Sequence, residues 1–201
     1  LFMKIADRAG LSIYIPDGID SVCCGTPWNS KGMTAGASVM QSANNDLLKK
    51  LALHNVPIVT DSPSCAQGFI ASFGGKSVMD STQFIAAHVL GKLKIKKVEQ
   101  LVVHPTCSSA KLDESAGLLA VANALAVEVV VPPNWGCCAF AGDRGLLHPE
   151  LTQSATAAEA KFVQSVGAKF HISNNRTCEK AMSAAVGAPY ISALQLLYEL
   201  S

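Results

Sequence analysis

Lys169-Phe-His-Ile-Ser-Asn-Asn-Arg-Thr-Cys178 decides the fold: a short apolar run passes into a polar turn, and a cysteine stands at its far end. The same pattern occurs earlier, in Val56-Pro-Ile-Val-Thr-Asp-Ser-Pro-Ser-Cys65. A few β-favouring residues bounded by turn formers read as a buried strand. Working outward, a shift of 113 to 114 positions carries Cys23, Cys24 and Cys65 onto Cys137, Cys138 and Cys178. Further upstream, Ser12-Ile-Tyr-Ile-Pro16 matches Glu128-Val-Val-Val-Pro132, each predicted as a strand stopped by proline. One long period of this kind means two copies of a supersecondary unit, not a solenoid.

The second copy is the more complete. Leu101-Val-Val-His104 reads as a strand ending at His-Pro-Thr-Cys107, followed by a helical pattern from Lys111 to Ala126. A strand over Val129 to Val131, the Gly-Cys-Cys turn, a long helix from Pro149 to Val166 and the Phe170 to Ile172 strand come next, and Cys178 opens another helix. Strands alternating with helices of this length predict parallel βαβ units. The fold class is therefore α/β, two pseudo-repeated units with parallel sheets, divided as residues 1–97 and 98–201. In such sheets reactive groups gather beyond the C-terminal strand ends. Every cysteine falls shortly after a predicted strand.

Composition narrows the function. Sixteen basic and fifteen acidic residues in 201 leave a net charge of +1, which argues against nucleic acid as a partner, since phosphate binding needs a basic surface. At 49% hydrophobic residues the chain has enough apolar surface to fold. Its longest apolar stretch, Gly117 to Val131, is broken by Asn123 and Glu128 and reads as a buried helix and strand, not a membrane span. Leu1 to Gly10 reads as the end of an amphipathic helix, so the chain is read as a piece of a longer protein. Seven cysteines, an odd number, do not suit a disulfide scaffold.

Adjacent cysteines point to metal. Their Cα atoms lie ~3.8 Å apart across a trans peptide, shorter than the ~4.4–6.8 Å span of ordinary disulfides. Two neighbouring thiolates can instead bind different atoms of one polynuclear centre. Cys107, Cys137, Cys138 and Cys178 supply the four thiolates of a common iron–sulfur cluster. A single zinc ion is the alternative, although its usual C-x₂₋₄-C spacing is missing; buried core cysteines are a third. The first copy supplies Cys23, Cys24 and Cys65. By the repeat, its counterpart of Cys107 would lie ahead of Leu1, which accounts for the odd count.

Cys23-Cys-Gly-Thr-Pro-Trp and Gly136-Cys-Cys-Ala-Phe-Ala-Gly-Asp-Arg-Gly resemble the duplicated CCG cysteine-rich domain. That domain occurs in heterodisulfide reductase and in the iron–sulfur component of glycolate oxidase. His104-Pro-Thr-Cys-Ser-Ser, Cys137 through Leu151, and Arg176-Thr-Cys-Glu179 bring the likeness nearest to the C-terminal iron–sulfur region of FAD-dependent D-lactate dehydrogenases. The resemblance implies an oxidoreductase part that relays electrons from FAD, on an upstream domain of the same chain, through a 4Fe–4S cluster to a quinone or cytochrome. It implies no substrate-oxidising catalytic residue in this part; the composition suggests the cytoplasm, or a place peripheral to the inner membrane through the partner domain. A disulfide-reducing enzyme and a non-catalytic metal-binding module are the competing readings. Ser62 and Asn175 stand where the family often has a further cysteine, which favours four-thiolate ligation over a five-cysteine cluster. Ala139 replaces the glycine of the second CCG, at a cost of about 1–2 kcal/mol if that turn needs positive φ.

Lys31 and Arg144 follow the two cysteine pairs and are the candidate cofactor-binding cations, placed to tune a cluster by their charge. Gly142-Asp-Arg-Gly145 lacks the patterns of a phosphate loop and reads as a turn shielding the cluster. His104, His148 and His171 lie near the second site, where four cysteines already suffice. Trp28 and Trp135 neighbour the two turns and are expected to pack over them. Gly74-Gly-Lys76 reads as a loop.

Overall fold

The computed structural model of the chain describes residues 1–51, 56–73, 78–111 and 115–201. The first copy begins with α1 (Phe2–Arg8), the turn at Cys23 and Cys24, a short α2 (Thr26–Ser30) and a long α3 (Thr34–Leu51). It continues through β1 (Ile58–Thr60), α4 (Pro63–Ser72), β2 (Val78–Asp80) and α5 (Ser81–His88). The second copy opens with β3 (Val98–Val103), α6 (Cys107–Lys111), α7 (Ser115–Leu125) and β4 (Ala126–Val130). After the turn at Cys137 and Cys138 come α8 (Arg144–Leu147), α9 (Pro149–Val166), β5 (Phe170–Ser173), α10 (Arg176–Val186), β6 (Ile191–Ser192) and α11 (Ala193–Leu200). In sequence order α1, α3, β1, α4, β2 and α5 recur as α7, α9, β5, α10, β6 and α11.

All strand pairs are parallel, in a four-stranded sheet of order β4-β3-β5-β6 and a two-stranded sheet of β1 and β2. The α/β class with parallel strands read from the sequence is therefore what forms. Helix ends follow local chemistry. Pro149 starts α9 and Gly167, at φ 68°, ends it. Gly10, at φ 69°, follows α1 and lets the Leu11 N–H return to the Ala6 carbonyl. β2 and β6 have no signature in the sequence, since runs of two or three residues carry no period. The start of α5 does have a local one: Asp80 accepts from the Thr82 and Gln83 N–H groups, and Gln83 reciprocates.

The strand expected over Ser12–Pro16 does not form; these residues are irregular. Its counterpart β4 is held by pairing with β3, Val98 opposite Ala126 and Val102 opposite Val130. Among the described residues, residues 12–16 belong to neither sheet, and an extended segment outside a ladder is not held as a strand. The strand expected at Val129 begins earlier, because α7 ends at Leu125 and passes directly into β4. Cys107–Lys111 is a separate helical turn, and residues 112–114 of the expected Lys111–Ala126 helix lie outside the described residues, as does Gly74-Gly-Lys76.

Helices cover both faces of the larger sheet. Leu101, Val103 and Ile172 point into a core with Leu118, Val121 and Leu125 of α7 and Leu196 and Leu197 of α11. Val102, on the other face, packs with Ala160 and Val163 of α9 and Met182 and Val186 of α10. The first of these cores also takes in Ile5 and Ile85 of the first copy. Helix α1 packs on α11 and α5 on α7, reciprocal contacts that relate the copies by a pseudo-twofold. At α7 the approach is close enough that a Cβ on Gly117 would stand 2.8 Å from the Gln83 Cα.

Two candidate thiolate centres

The order β4-β3-β5 sets three C-terminal strand ends side by side, and each is followed by cysteine. Cys107 opens α6 after β3, Cys137 and Cys138 follow β4, and Cys178 lies in the first turn of α10 after β5. The Cys138 and Cys178 sulfurs are hydrogen-bonded at 3.4 Å, buried with Phe140 and Ala181. Cys138 is lowered to about 6, chiefly by that hydrogen bond and against the effect of burial, with help from the Phe140 N–H and the nearby His104. Cys178 is pushed up by the Cys138 bond, by burial and by the charges of Cys138, Cys107 and Cys137. Burial raises the Cys107 thiol first, and the charge of Cys137 and a hydrogen bond to it raise it further. Cys138 and Cys178 are thus in direct contact, and Cys107 and Cys137 follow the neighbouring strand ends.

The turn itself is built to hold a thiolate. Ala139 has φ 55°, and its counterpart Gly25 has φ 82°. A left-handed residue after the second cysteine turns the next N–H back toward the sulfur, forming an anion-binding nest. That N–H belongs to Phe140 at Cys138 and to Thr26 at Cys24. The positive φ anticipated at Ala139 is therefore present. Ala139→Gly is expected to stabilise the protein by about 1 kcal/mol, the relieved strain less the added chain entropy, as read by urea denaturation.

Cys23, Cys24 and Cys65 form the first set. Cys24 is lowered to about 5, chiefly by its hydrogen bond with Cys65, while burial opposes the shift and Thr26 assists it. Cys65 is correspondingly pushed up, by that bond and by burial. The Thr26 Oγ1 lies 3.3 Å from the Cys24 sulfur, and buried Asn44 donates to the Cys23 carbonyl at 2.8 Å. Helix α4 comes so close that a Cβ on Gly68 would stand 2.6 Å from the Cys24 carbonyl oxygen and 2.9 Å from its Cβ. Backbone cannot yield cheaply there. Gly68→Ala is expected to cost about 1–3 kcal/mol and to lower metal uptake at the first set alone, as read by urea denaturation and iron analysis. An apolar cavity of about 440 Å³ borders these three cysteines, between Tyr14, Ile19 and Val22 on one side and Ile58, Val59 and Phe69 on the other.

The seven cysteines thus lie in a group of three and a group of four. The Lys31 Nζ pairs with Asp143 Oδ2 at 2.6 Å, tying the two cysteine turns together. That ammonium holds the Asp143 carboxyl below the usual range, with a smaller pull from Arg144, which opens α8. His148 pairs with Glu150 at the surface, whereas His104 is buried against Glu159 and His171 against the Tyr190 ring. The Trp28 indole packs across Gly36 of α3, where a Cβ would collide with it. Sequence reasoning missed Glu159, because one carboxylate on an amphipathic helix has no signature of burial.

Four cysteine thiols from three adjacent strand ends are a donor set that suits an iron–sulfur cluster or a tetrahedral metal ion. Among the described residues no three His, Cys, Asp or Glu side chains converge as one metal ion requires. Among the described residues no helix is long and apolar enough to cross a membrane.

Comparison with known proteins agrees with this picture. The profile of the CCG cysteine-rich domain family matches residues 1–69 and 101–183. Lactate utilization protein A 1 of Bacillus mycoides (strain KBAB4) is 24% identical over 198 residues, covering 88% of this chain and 78% of that protein.

Proposed function

The chain belongs to the CCG cysteine-rich domain family, and on that premise we propose that its cysteine sets hold 4Fe–4S clusters and relay electrons in a flavin-dependent D-2-hydroxyacid dehydrogenase. The observation that carries the reading is the second set, four thiols that follow three adjacent parallel strand ends, two of them in contact at 3.4 Å. Bound there, an iron–sulfur cluster supplies one-electron oxidation and reduction. The chain's own residues do the rest. Cys107, Cys137, Cys138 and Cys178 would hold the iron, the Phe140 N–H would favour the Cys138 thiolate, and Phe140 and Ala181 would keep water from the buried pair.

The name of the Bacillus relative suggests lactate as the hydroxy acid. In this reading FAD on an upstream domain of the same chain oxidises it, and a quinone or cytochrome takes the electrons, in the cytoplasm or at the inner membrane. Lys31 and Arg144 stand near the two turns as tuning cations, Lys31 through its pair with Asp143.

The test is iron, sulfide and zinc analysis with EPR on anaerobically prepared full-length protein. Acid-labile sulfide and a reducible four-iron signal are expected. Zinc at one per chain without sulfide overturns the reading in favour of a structural metal. Turnover of a heterodisulfide in place of D-lactate overturns the dehydrogenase assignment.

A further inference from the structure

We propose that Cys138 and Cys178 are a disulfide-forming pair: in the metal-free protein a peroxide joins them, and the bridge withholds the second centre from metal until a dithiol reduces it. The bridge rests on the placement of the two sulfurs, and its effect on loading rests on the metal-binding reading above.

The two sulfurs are in contact at 3.4 Å, across 40 residues of chain. A disulfide closes at about 2.05 Å, so the remaining gap is about 1.3 Å. One side of the pair is fixed and the other can yield. Cys178 lies in the first turn of α10, whereas Cys138 lies in irregular backbone just before Ala139. Their buried neighbours, Phe140 and Ala181, are apolar and compete for neither sulfur. Cys137 is a poor alternative partner for Cys138, because adjacent Cα atoms lie only ~3.8 Å apart, less than a disulfide ordinarily spans. Cys138 and Cys178 are 4% and 3% exposed. That burial selects the oxidant. Hydrogen peroxide is neutral and near water in size, whereas a glutathione or protein disulfide reaches the pair only when the turn opens.

The chemistry takes two steps. One thiol sulfur attacks the peroxide, forming an S–O bond and breaking the O–O bond, and water leaves behind a sulfenic acid. The partner sulfur then attacks that sulfur, an S–S bond replaces the S–O bond, and a second water leaves. The two thiols have lost two electrons, the peroxide has been reduced to two waters, and both thiol hydrogens end in water. Contact makes the second step intramolecular, so the sulfenic acid is captured before it reaches the irreversible acids. A dithiol restores both thiols by exchange, itself becoming a disulfide. Metal needs thiolates, so the bridged centre retains only Cys107 and Cys137 as donors. The bridge also closes a loop through α8, α9 and β5, which restricts the unfolded chain.

The experiment uses full-length protein stripped of metal, reduced anaerobically and then exposed to stoichiometric hydrogen peroxide. Free thiols are alkylated and the bridge is mapped by mass spectrometry of peptides. A link between the peptides of Cys138 and Cys178 is expected, retained in Cys137→Ser and absent from Cys138→Ser. Mapping of the unsubstituted chain decides the matter if a variant does not fold. Iron and sulfide uptake is then measured in Cys24→Ser, in which the second centre is the one left to load. Uptake should be lost after peroxide and return after dithiothreitol. Cys178 left unbridged by peroxide, a link that survives Cys138→Ser, or a bridged protein that loads as well as the reduced one overturns the proposal. Reduced wild type that takes up neither iron nor sulfide overturns the cluster reading instead, and the mapping still decides the bridge.

Discussion

Cys138→Ser is expected to strip the second centre of its iron and sulfide while leaving the first loaded and the fold intact. The Cys138 thiol is drawn below its usual range, chiefly by its hydrogen bond with Cys178 and also by the Phe140 N–H. Metal affinity depends on deprotonated ligands, and a serine hydroxyl at this place stays protonated. The hydroxyl is close in size to the thiol and can keep a hydrogen bond to Cys178, so packing with Phe140 and Ala181 persists. Cys24→Ser should do the same to the first set, since Cys24 has the same place in the repeat and the same partner in Cys65. Iron and sulfide analysis, with circular dichroism to monitor the fold, reads both results. Full retention of the second centre in Cys138→Ser would remove Cys138 from the ligand set.

The second large effect is expected at the pseudo-twofold. Ile85→Ala should destabilise the whole chain by about 2–5 kcal/mol, the usual range for emptying a buried aliphatic site. Ile85 belongs to the first copy, yet it is fully buried in the core that holds Leu101, Leu118, Ile172 and Leu197 of the second. Removing its side chain opens a cavity that α5 and α7 cannot close, because Gly117 already brings α7 against Gln83. The chain should therefore unfold in one transition, before and after the substitution. Denaturation followed by far-ultraviolet circular dichroism and by Trp28 and Trp135 fluorescence tests this. Two separate transitions, with only one displaced, would show that the copies fold independently.

Much of this architecture is legible in the residues. Phe170 to Ile172 running into Cys178, and the same arrangement ahead of Cys65, announce strand, turn and helix, because apolar runs and turn formers act over a few neighbours. The positive φ at Ala139 could be anticipated from the glycine at Gly25. The Ser12–Pro16 strand shows the limit of such reasoning. Its composition suits a strand, but a strand needs a ladder supplied by the fold, and residues 12–16 belong to none of the described strands. Glu159 shows the converse. Its burial depends on α9 lying over the end of β3, which no local pattern encodes.

By itself the sequence determined the duplicated α/β plan and the sorting of seven cysteines into sets of three and four. Those properties follow from periodicity and spacing along the chain. Only the tertiary structure decided that the copies share one core, that Lys31 binds Asp143 across them, and that one of the two sets has a buried imidazole beside it. These are contacts between residues remote from one another in the chain. They exist because parallel strands and reciprocal helix packing bring distant segments together, across separations that local pattern does not record.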